Sequence, residues 1–215
     1  EKAKAKYMMT PEEIDVMYAQ TKEYLLSKIH PETQDRPTVF ITGGQPGSGK
    51  SALVYQSKVD FKVMEKEAEV LDVDSFRGFC KNASLLASEY PEFYSQITDV
   101  YTGYIMKRLL EEAITKGYNF IFEGTLANPQ IIQTIRRFNP DYRIIARIMA
   151  TSKEESTLSL FERYLEMKKA IGIGRLTTIE AHDVRFAGLD KTVLTLENEG
   201  IEVEVFERGE KFKLP

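Results

Sequence analysis

The residues best suited to chemistry lie in one short stretch, at positions 38–51. Its second half, Gly44 to Ser51, fits the phosphate-binding pattern G-x-x-x-x-G-K-[ST]. An apolar run precedes the pattern and a helical pattern follows it, so we expect a strand, a glycine-rich turn and a helix. The backbone N–H groups of such a turn, and the positive end of the helix, attract phosphate oxygens. The stretch therefore predicts a nucleoside triphosphate site formed by Gly44, Gln45, Pro46, Gly47, Ser48, Gly49, Lys50 and Ser51. Within it, Lys50 is expected to reach the β- and γ-phosphates and the Ser51 hydroxyl to bind Mg²⁺.

Two further stretches carry acidic side chains where a strand is expected to end. Asp72 and Asp74 close the first, and because they are two residues apart, an extended chain would place them on the same side. Asp is also common in turns and at helix N-caps, so a capping role is the alternative. Glu123 closes the second, an apolar run typical of a strand buried in a parallel sheet. The carboxyl end of that strand should lie beside the glycine-rich turn, where open α/β sheets bind ligands.

These residue types favour a kinase among the proteins that contain such a turn. An Asn-Lys-x-Asp motif, which a GTPase uses to bind its base, does not occur, and Glu123 is followed by glycine rather than by a second acid. A kinase needs a carboxylate to take the proton of an acceptor hydroxyl and cations to stabilise the transferring phosphoryl group. Arg163 on a predicted helix and Arg175 on a glycine-flanked loop can supply the cations. Solvation at the surface is the alternative for both.

The elements that position these residues alternate between strand and helix along the chain. This alternation predicts an α/β fold of the P-loop NTPase or kinase type, with a mostly parallel five-stranded sheet and helices on both faces. We expect one domain over residues 1–215, with a helix and linker over residues 1–36 packed on it. A long helical stretch, residues 84–116, breaks near Pro91 and carries an aromatic stripe that predicts either core packing or a substrate wall.

Composition narrows the choice of partners and compartment. The 215 residues carry a net charge of -4, so there is no basic excess for binding a nucleic-acid backbone. Cys80 is the single cysteine, which excludes an internal disulfide and favours a reducing cytoplasm. No apolar run is long enough to span a bilayer, and no signal-peptide pattern opens the chain. We therefore expect a cytoplasmic protein that binds neither nucleic acid nor membrane.

Five short motifs, taken together and in order, resemble the zeta toxin family, the kinase component of toxin–antitoxin systems. They are residues 43–51, residues 72–77, residues 123–125, residues 162–164, and Arg175 followed by residues 181–183. The resemblance implies a P-loop kinase fold that uses ATP and Mg²⁺. It also implies phosphorylation of a sugar hydroxyl on UDP-N-acetylglucosamine, with an antitoxin protein as a partner.

The resemblance also implies a role for each matching residue. Asp74 matches the catalytic base, and Lys50 and Ser51 match the phosphate and Mg²⁺ residues. The arginines that hold the ATP phosphates are matched by Arg163 and Arg175. The substrate-binding set is Asp72, Asp74, Glu123 and Thr125, of which Glu123 and Thr125 match substrate-sugar contacts. His182 and Asp183 match a recurring pair that we interpret as structural hydrogen-bonding residues on a helix face.

One departure from the family pattern concerns the phosphate acceptor. Family members commonly carry an arginine shortly after Glu-Gly-Thr, whereas this chain has Leu126-Ala127-Asn128. An arginine there would contact an anionic diphosphate, so its absence bears on the acceptor more than on kinase activity. Two alternatives therefore stay open. The first is a kinase that acts on another small-molecule hydroxyl, such as a nucleoside or an antibiotic, and the second is a nucleotide-dependent module that binds a partner protein.

Overall fold

The computed structural model describes residues 2–33, 35–126, 130–171, 177–207 and 210–212. Its sheet is built outward from the strand that precedes the glycine-rich turn. The strands in chain order are β1 (Thr38–Gly43), β2 (Glu69–Asp72), β3 (Phe120–Glu123), β4 (Arg143–Met149), β5 (Glu202–Glu207) and β6 (Glu210–Phe212). In the described part of the chain their spatial order is β2-β3-β1-β4-β5-β6. The first five are parallel and β6 runs antiparallel to β5, so the predicted five-stranded parallel sheet is confirmed with a short hairpin strand at its edge.

Helices cover both faces of this sheet, as the alternating pattern predicted. They are α1 (Lys2–Lys6), α2 (Pro11–Leu26), α3 (Ser51–Val63), α4 (Val73–Phe76), α5 (Ala83–Glu89), α6 (Tyr94–Thr115), α7 (Gln130–Phe138), α8 (Lys153–Ile171) and α9 (Ile179–Asn198). On one face, Val54 and Phe61 of α3 pack against Phe40 and Ile121 of the central strands. Helices α2, α6, α7 and α9 bury the main core on the other face. Two packed layers therefore hold the strand ends, and the loops that follow them, in fixed positions.

Local signals in the sequence set several helix ends. Thr10 caps α2, with Thr10 Oγ1 accepting from the Glu13 N–H at 3.3 Å and Glu13 Oε2 accepting from the Thr10 N–H at 3.0 Å. The predicted break near Pro91 is present, because α5 ends at Glu89 and a 3₁₀ turn over Pro91–Phe93 leads into α6. Gly117 follows α6 with φ 71°, a left-handed conformation that glycine adopts without strain.

The aromatic stripe on α6 serves mainly to pack the amino-terminal helices. Tyr94 and Tyr101 pack against the main core, and the Tyr101 hydroxyl accepts from the Met9 N–H at 2.9 Å. Arg108 forms an ion pair with Asp15 of α2 at 2.7 Å. These contacts favour the core interpretation of the stripe over a substrate wall.

A buried arginine fastens α3 to the sheet. Arg147 on β4 is 3 % exposed and forms ion pairs with Glu204 Oε2 at 2.8 Å and with Asp60 of α3. Its Nη1 also donates to Ser57 Oγ at 2.8 Å. Because α3 begins at Ser51, this cluster helps to fix the helix whose N-terminus faces the glycine-rich turn.

None of the helices in the described part of the chain has the length and apolar character of a membrane-spanning helix.

Candidate active site

The glycine-rich turn joins β1 to α3, which is the strand–turn–helix arrangement that the spacing predicted. Gly44, Gly47 and Gly49 adopt φ values of 147°, 80° and 91°, which side chains other than glycine rarely tolerate. Ser51 is the first residue of α3, and Lys50 directly precedes it. The turn therefore lies at the positive end of a 13-residue helix, the position in which helices bind anions.

Backbone contacts hold the turn from two sides. On the inner side, the Gly44 N–H donates to the Thr125 carbonyl at 3.1 Å, which ties the turn to the loop after β3. On the outer side, Thr151 Oγ1 donates to the Ser48 carbonyl at 3.0 Å. The turn also lies so close to the first turn of α8 that a Cβ at Gly47 would come within 2.1 Å of the Ser156 carbonyl oxygen. The shape of the turn is thus set by its neighbours as well as by its glycines.

A cavity of about 540 Å³ opens beside the turn at the carboxyl ends of the strands. We call it the charged pocket, after the ionisable residues that line it: Lys50, Asp72, Asp74, Arg77, Asp99, Glu123, Arg163 and Arg185. Thr125 also lines it. The structure therefore brings together the sequence-predicted residues Lys50, Asp72, Asp74, Glu123, Thr125 and Arg163.

Strand register explains how two of the acids come to lie side by side. Asp72 on β2 pairs with Glu123 on β3, and Glu123 pairs with Thr42 on β1. The carboxyl end of β3 thus lies next to the strand that leads into the glycine-rich turn, as predicted. Both acids line the cavity that Lys50 of the turn also lines.

The prediction that Asp72 and Asp74 share one side of an extended strand is wrong. The strand ends at Asp72, and Asp74 belongs to the short helix α4. The two carboxylate oxygens of Asp72 accept from the Asp74 N–H at 3.0 Å and the Ser75 N–H at 3.2 Å, so Asp72 is the N-cap of α4. An N-cap carboxylate satisfies N–H groups that lack partners within the helix, which favours a helical turn over continued strand. The capping alternative for Asp72 is thereby confirmed, and Asp74 lines the charged pocket from α4 instead.

Arg77 holds the carboxylate of Asp74. Its Nε and Nη2 atoms lie 2.9 and 2.8 Å from the same Asp74 oxygen, Oδ1. The guanidinium is itself held by Asp99 Oδ1 at 2.6 Å and by Thr98 Oγ1 at 2.6 Å, and Arg77 is 6 % exposed. A planar guanidinium with several fixed partners orients the carboxylate that it contacts. Asp74 is therefore presented to the pocket in a defined orientation.

Burial and neighbouring charges shift the pKa values of several side chains in the charged pocket. Burial lowers the pKa of Lys50, and the nearby cations Arg163 and Arg185 act in the same direction, whereas Glu123 and Asp74 oppose it. Burial also raises the pKa of Asp72 and of Glu123, and the charge of Asp72 raises the Glu123 pKa further. Like charges gathered in one cavity are stabilised by ligands of opposite charge. A phosphate group beside the cations would meet this condition, and a hydroxyl beside the acids could donate a hydrogen bond to them.

The cations of the charged pocket differ in part from those predicted. Arg163 of α8 lines the pocket, whereas Arg175 falls in residues 172–176, outside the described residues. Arg185 of α9 lines it as well and was missed by sequence reasoning. No local pattern in the sequence distinguishes it from the other arginines on predicted helices. Arg77 ends the motif at residues 72–77, and the sequence alone assigned it no role. Its spacing of three from Asp74 fits an ion pair on a helical turn.

The donor set suits a magnesium ion that is bound together with phosphates. No group of three or more His, Cys, Asp or Glu side chains that could hold a metal occurs among the residues that the structure describes. Mg²⁺ in nucleotide sites is bound through one or two protein oxygens and the substrate phosphates, so a dedicated protein cage is not needed. Ser51, the first residue of α3, stays the predicted source of such an oxygen.

A second cavity lies beneath α9 and reaches the turn at Gln45. Its volume is about 600 Å³. Ile148, Ala150 and Leu189 contribute apolar wall, and Gln45 and Thr151 border it next to the turn. We call it the apolar cavity. Asp190, Glu197 and Glu207 also line it, and its volume is sufficient for a ring system packed against the apolar part of the wall.

A parallel sheet with its central strand leading into this turn, and a charged pocket at the strand ends, defines a kinase-like P-loop protein. Comparison with known proteins identifies the family. The family model described as zeta toxin matches residues 22–214, and the chain belongs to the zeta toxin family.

Curated relatives agree with this assignment. Toxin zeta of Enterococcus hirae is 30% identical over 170 residues, which cover 78% of this chain and 58% of the relative. Toxin zeta of Streptococcus agalactiae is 29% identical over 170 residues, which again cover 78% of this chain and 58% of the relative. The chain thus matches less than two thirds of the length of these relatives.

Solved structures share the fold. A structure of the PezAT chromosomal toxin–antitoxin system of Streptococcus pneumoniae superimposes with a TM-score of 0.78 at 22% identity, covering 96% of this chain and 81% of that one. A structure of AvrRxo1-ORF1:-ORF2 with ATP gives a TM-score of 0.59 at 14% identity, covering 93% and 63%. At these identities the likeness concerns the fold alone.

Proposed function

We propose that the protein is an ATP-dependent kinase that transfers the γ-phosphoryl group to a hydroxyl of a small molecule, a sugar hydroxyl of UDP-N-acetylglucosamine or a related nucleotide sugar. The observation that carries this proposal is the Asp74 carboxylate, oriented by Arg77, in the same cavity as Lys50 of the glycine-rich turn. Phosphoryl transfer needs little covalent help from a protein beyond positioning and charge stabilisation, and this arrangement supplies both.

In the proposed reaction, Asp74 accepts the proton of the acceptor hydroxyl while the acceptor oxygen bonds to the γ-phosphorus. The bond from that phosphorus to the β,γ-bridging oxygen breaks, and ADP leaves. Lys50, Arg163 and Arg185 offset the charge that develops on the phosphate oxygens. Mg²⁺, held by Ser51 and the phosphates, would neutralise charge on the β- and γ-phosphates.

Two further features support ATP as the donor. The Ser48 hydroxyl is buried in the turn and has no hydrogen-bond partner among the described residues, so a phosphate oxygen would satisfy it. Gln45 of the turn lines the apolar cavity, whereas Pro46 and Lys50 line the charged pocket. A triphosphate in the turn would therefore have an apolar site for its base on one side and the acceptor pocket on the other.

The acceptor is tested by incubating the purified chain with Mg·ATP and a pool of nucleotide sugars, and by reading which mass gains one phosphoryl group. Phosphorylated UDP-N-acetylglucosamine is the expected product, with ADP formed only when the acceptor is present. A product from a nucleoside or antibiotic pool instead would favour the second candidate, to which the missing cation at Leu126-Ala127-Asn128 points. Absence of acceptor-dependent ADP with every pool would contradict kinase activity.

Membership of the zeta toxin family also supports an antitoxin protein as a partner, in a cytoplasm that supplies ATP and nucleotide sugars. If the chain binds such a partner in a nucleotide-dependent way and turns over no acceptor, it is a binding module instead. Co-expression with a candidate antitoxin, followed by ATP binding measured on the free chain and on the complex, separates these two cases.

A further inference from the structure

Buried polar side chains form a continuous hydrogen-bonded chain beside the glycine-rich turn. Gln45 Nε2 donates to Ser156 Oγ at 3.2 Å, and Ser156 Oγ lies 2.8 Å from His182 Nε2. His182 Nδ1 lies 3.0 Å from Asp183 Oδ1, and the other oxygen of Asp183 pairs with Lys153 at 2.7 Å. Ser156 and His182 are fully buried, and Gln45 is 1 % exposed. We call this set the Gln45–Asp183 chain.

The partners of His182 define the role of each ring nitrogen. The Asp183 carboxylate is an acceptor, so Nδ1 carries the hydrogen in this contact. Hydrogen bonds from Lys153 and His182 lower the pKa of Asp183, which keeps this carboxylate ionised. Nε2 faces the Ser156 hydroxyl, whose oxygen also lies 2.8 Å from the Ser152 carbonyl oxygen, so the ring bridges a fixed anion and a fixed hydroxyl.

The Gln45–Asp183 chain connects three elements that surround the candidate triphosphate site. Gln45 belongs to the turn, Ser156 to the first turn of α8, and His182 to α9. The backbone carbonyl of Gln45 accepts from Lys50 Nζ at 3.3 Å, so the residue that the chain holds also contacts the predicted phosphate-binding lysine. Arg185 lies about one helical turn after His182 and lines the charged pocket. Movement at His182 would therefore shift a cation of α9 and the lysine of the turn relative to each other.

We propose that His182 is a positioning residue for triphosphate binding, acting through Ser156 and Gln45 on the shape of the glycine-rich turn rather than by touching the nucleotide. The inference rests on the proposed ATP site but not on the identity of the acceptor or on phosphoryl transfer. If His182 only stabilised the packing of α8 on α9, its replacement would lower stability without a selective effect on phosphate binding.

Two amide substitutions separate these roles. In His182→Gln the amide reaches the position of Nε2 and keeps the contact with Ser156, whereas in His182→Asn it reaches only the position of Nδ1 and keeps the contact with Asp183. The dissociation constants of Mg·ATP and of inorganic tripolyphosphate are measured by calorimetry, beside the melting temperature. We expect His182→Asn to weaken both ligands about tenfold, the scale of one buried hydrogen bond, and His182→Gln to remain within about threefold of the unsubstituted chain.

Ser156→Ala tests the same link from the other side, with little change in volume. It is expected to weaken both ligands as His182→Asn does, and the double variant is expected to be no weaker than either single one, because both remove one connection. Equal affinities of His182→Gln and His182→Asn, or additive effects in the double variant, would overturn the proposal. If the variants show the expected affinities but the unsubstituted chain transfers no phosphoryl group, the positioning role stands and the kinase proposal fails. If the unsubstituted chain binds neither ligand, both are overturned.

Discussion

Two nitrogens of Arg77 contact one carboxylate oxygen of Asp74, at 2.9 and 2.8 Å. The guanidinium also contacts Thr98 and Asp99, which belong to α6. The predicted base is therefore oriented by a buried cation that is anchored in a different element. Asp74 is exposed enough to meet a substrate, with its side chain 60% accessible, whereas the Arg77 side chain is 7% accessible. A catalytic group has to be accessible to substrate and held in one orientation by its neighbours. Substitution of Arg77 therefore tests the proposed role of Asp74.

We expect Arg77→Lys to lower kcat about tenfold while ATP affinity stays the same, because a lysine ammonium cannot fix Asp74 with two donors. Arg77→Ala should also lower the free energy of unfolding by about 2–3 kcal/mol, since buried partners lose their donor. Steady-state kinetics and urea denaturation measure the two effects. Asp99→Asn is the control, since its amide oxygen can still accept from Arg77 and the contact between Arg77 and Asp74 stays in place. Full turnover in Arg77→Lys would show that the contact has no catalytic role.

Gly47→Ala should abolish triphosphate binding. The new Cβ would lie 2.1 Å from the Ser156 carbonyl at a φ of 80°, so the turn must change shape. We expect a loss of about 1–3 kcal/mol in stability and loss of detectable ATP binding by calorimetry. Gly78→Ala is the matched control, because no atom lies within 4 Å of its Cβ position, and it should stay within about 0.5 kcal/mol of the unsubstituted chain. Equal behaviour of the two variants would contradict the described packing of the turn.

Local spacing was sufficient to predict the turn and the fold class. The residues from β1 to α3 are contiguous, so glycine positions and the apolar run specify the strand–turn–helix unit without distant contacts. Alternation of strands and helices then predicted the parallel sheet, and the short apolar run before Glu123 predicted the place of β3 beside β1.

Contacts between distant segments account for what the sequence did not reveal. Arg185 reaches the charged pocket because α9 packs on α8 and on the sheet, and no local pattern specifies that packing. The prediction extended β2 to Asp74. The alternation of residue types along a strand cannot show that Asp72 ends the strand by capping a helical turn. The link from His182 to Gln45 spans three elements and likewise has no local signature.

The pH dependence of stability should report the burial of Glu123. Because its pKa is raised in the folded chain, the folded state binds more protons than the unfolded state between the ordinary Glu pKa and the raised one. The contribution of this group to stability is therefore greatest below the ordinary value and is lost as pH rises through the raised value. Glu123→Gln, which mimics the protonated form, should be more stable than the unsubstituted chain at pH 7. Denaturation at several pH values measures this difference, and a constant difference across the window would refute the prediction.

The apolar cavity should bind the base of ATP. Ala150→Leu adds volume to its wall and is expected to raise the dissociation constant of Mg·ATP about tenfold, with tripolyphosphate binding unchanged, because only ATP carries a base. Leu194→Ala is the control, since this side chain is 60% exposed at the rim of the cavity and contributes little wall. Competition binding with the two ligands separates the base from the phosphates. Equal weakening of ATP and tripolyphosphate would place the effect in the turn and not in the cavity.

The central claim is that Asp74 takes a proton from an acceptor hydroxyl beside a triphosphate held at Lys50. The most direct measurement is acceptor-dependent ADP formation by Asp74→Asn, together with its dissociation constant for Mg·ATP, because asparagine keeps the shape and can still accept from Arg77. The account predicts a fall in kcat of about 10²–10⁴-fold with ATP affinity unchanged, the range expected when a general base is removed. Turnover in Asp74→Asn equal to that of the unsubstituted chain would contradict it.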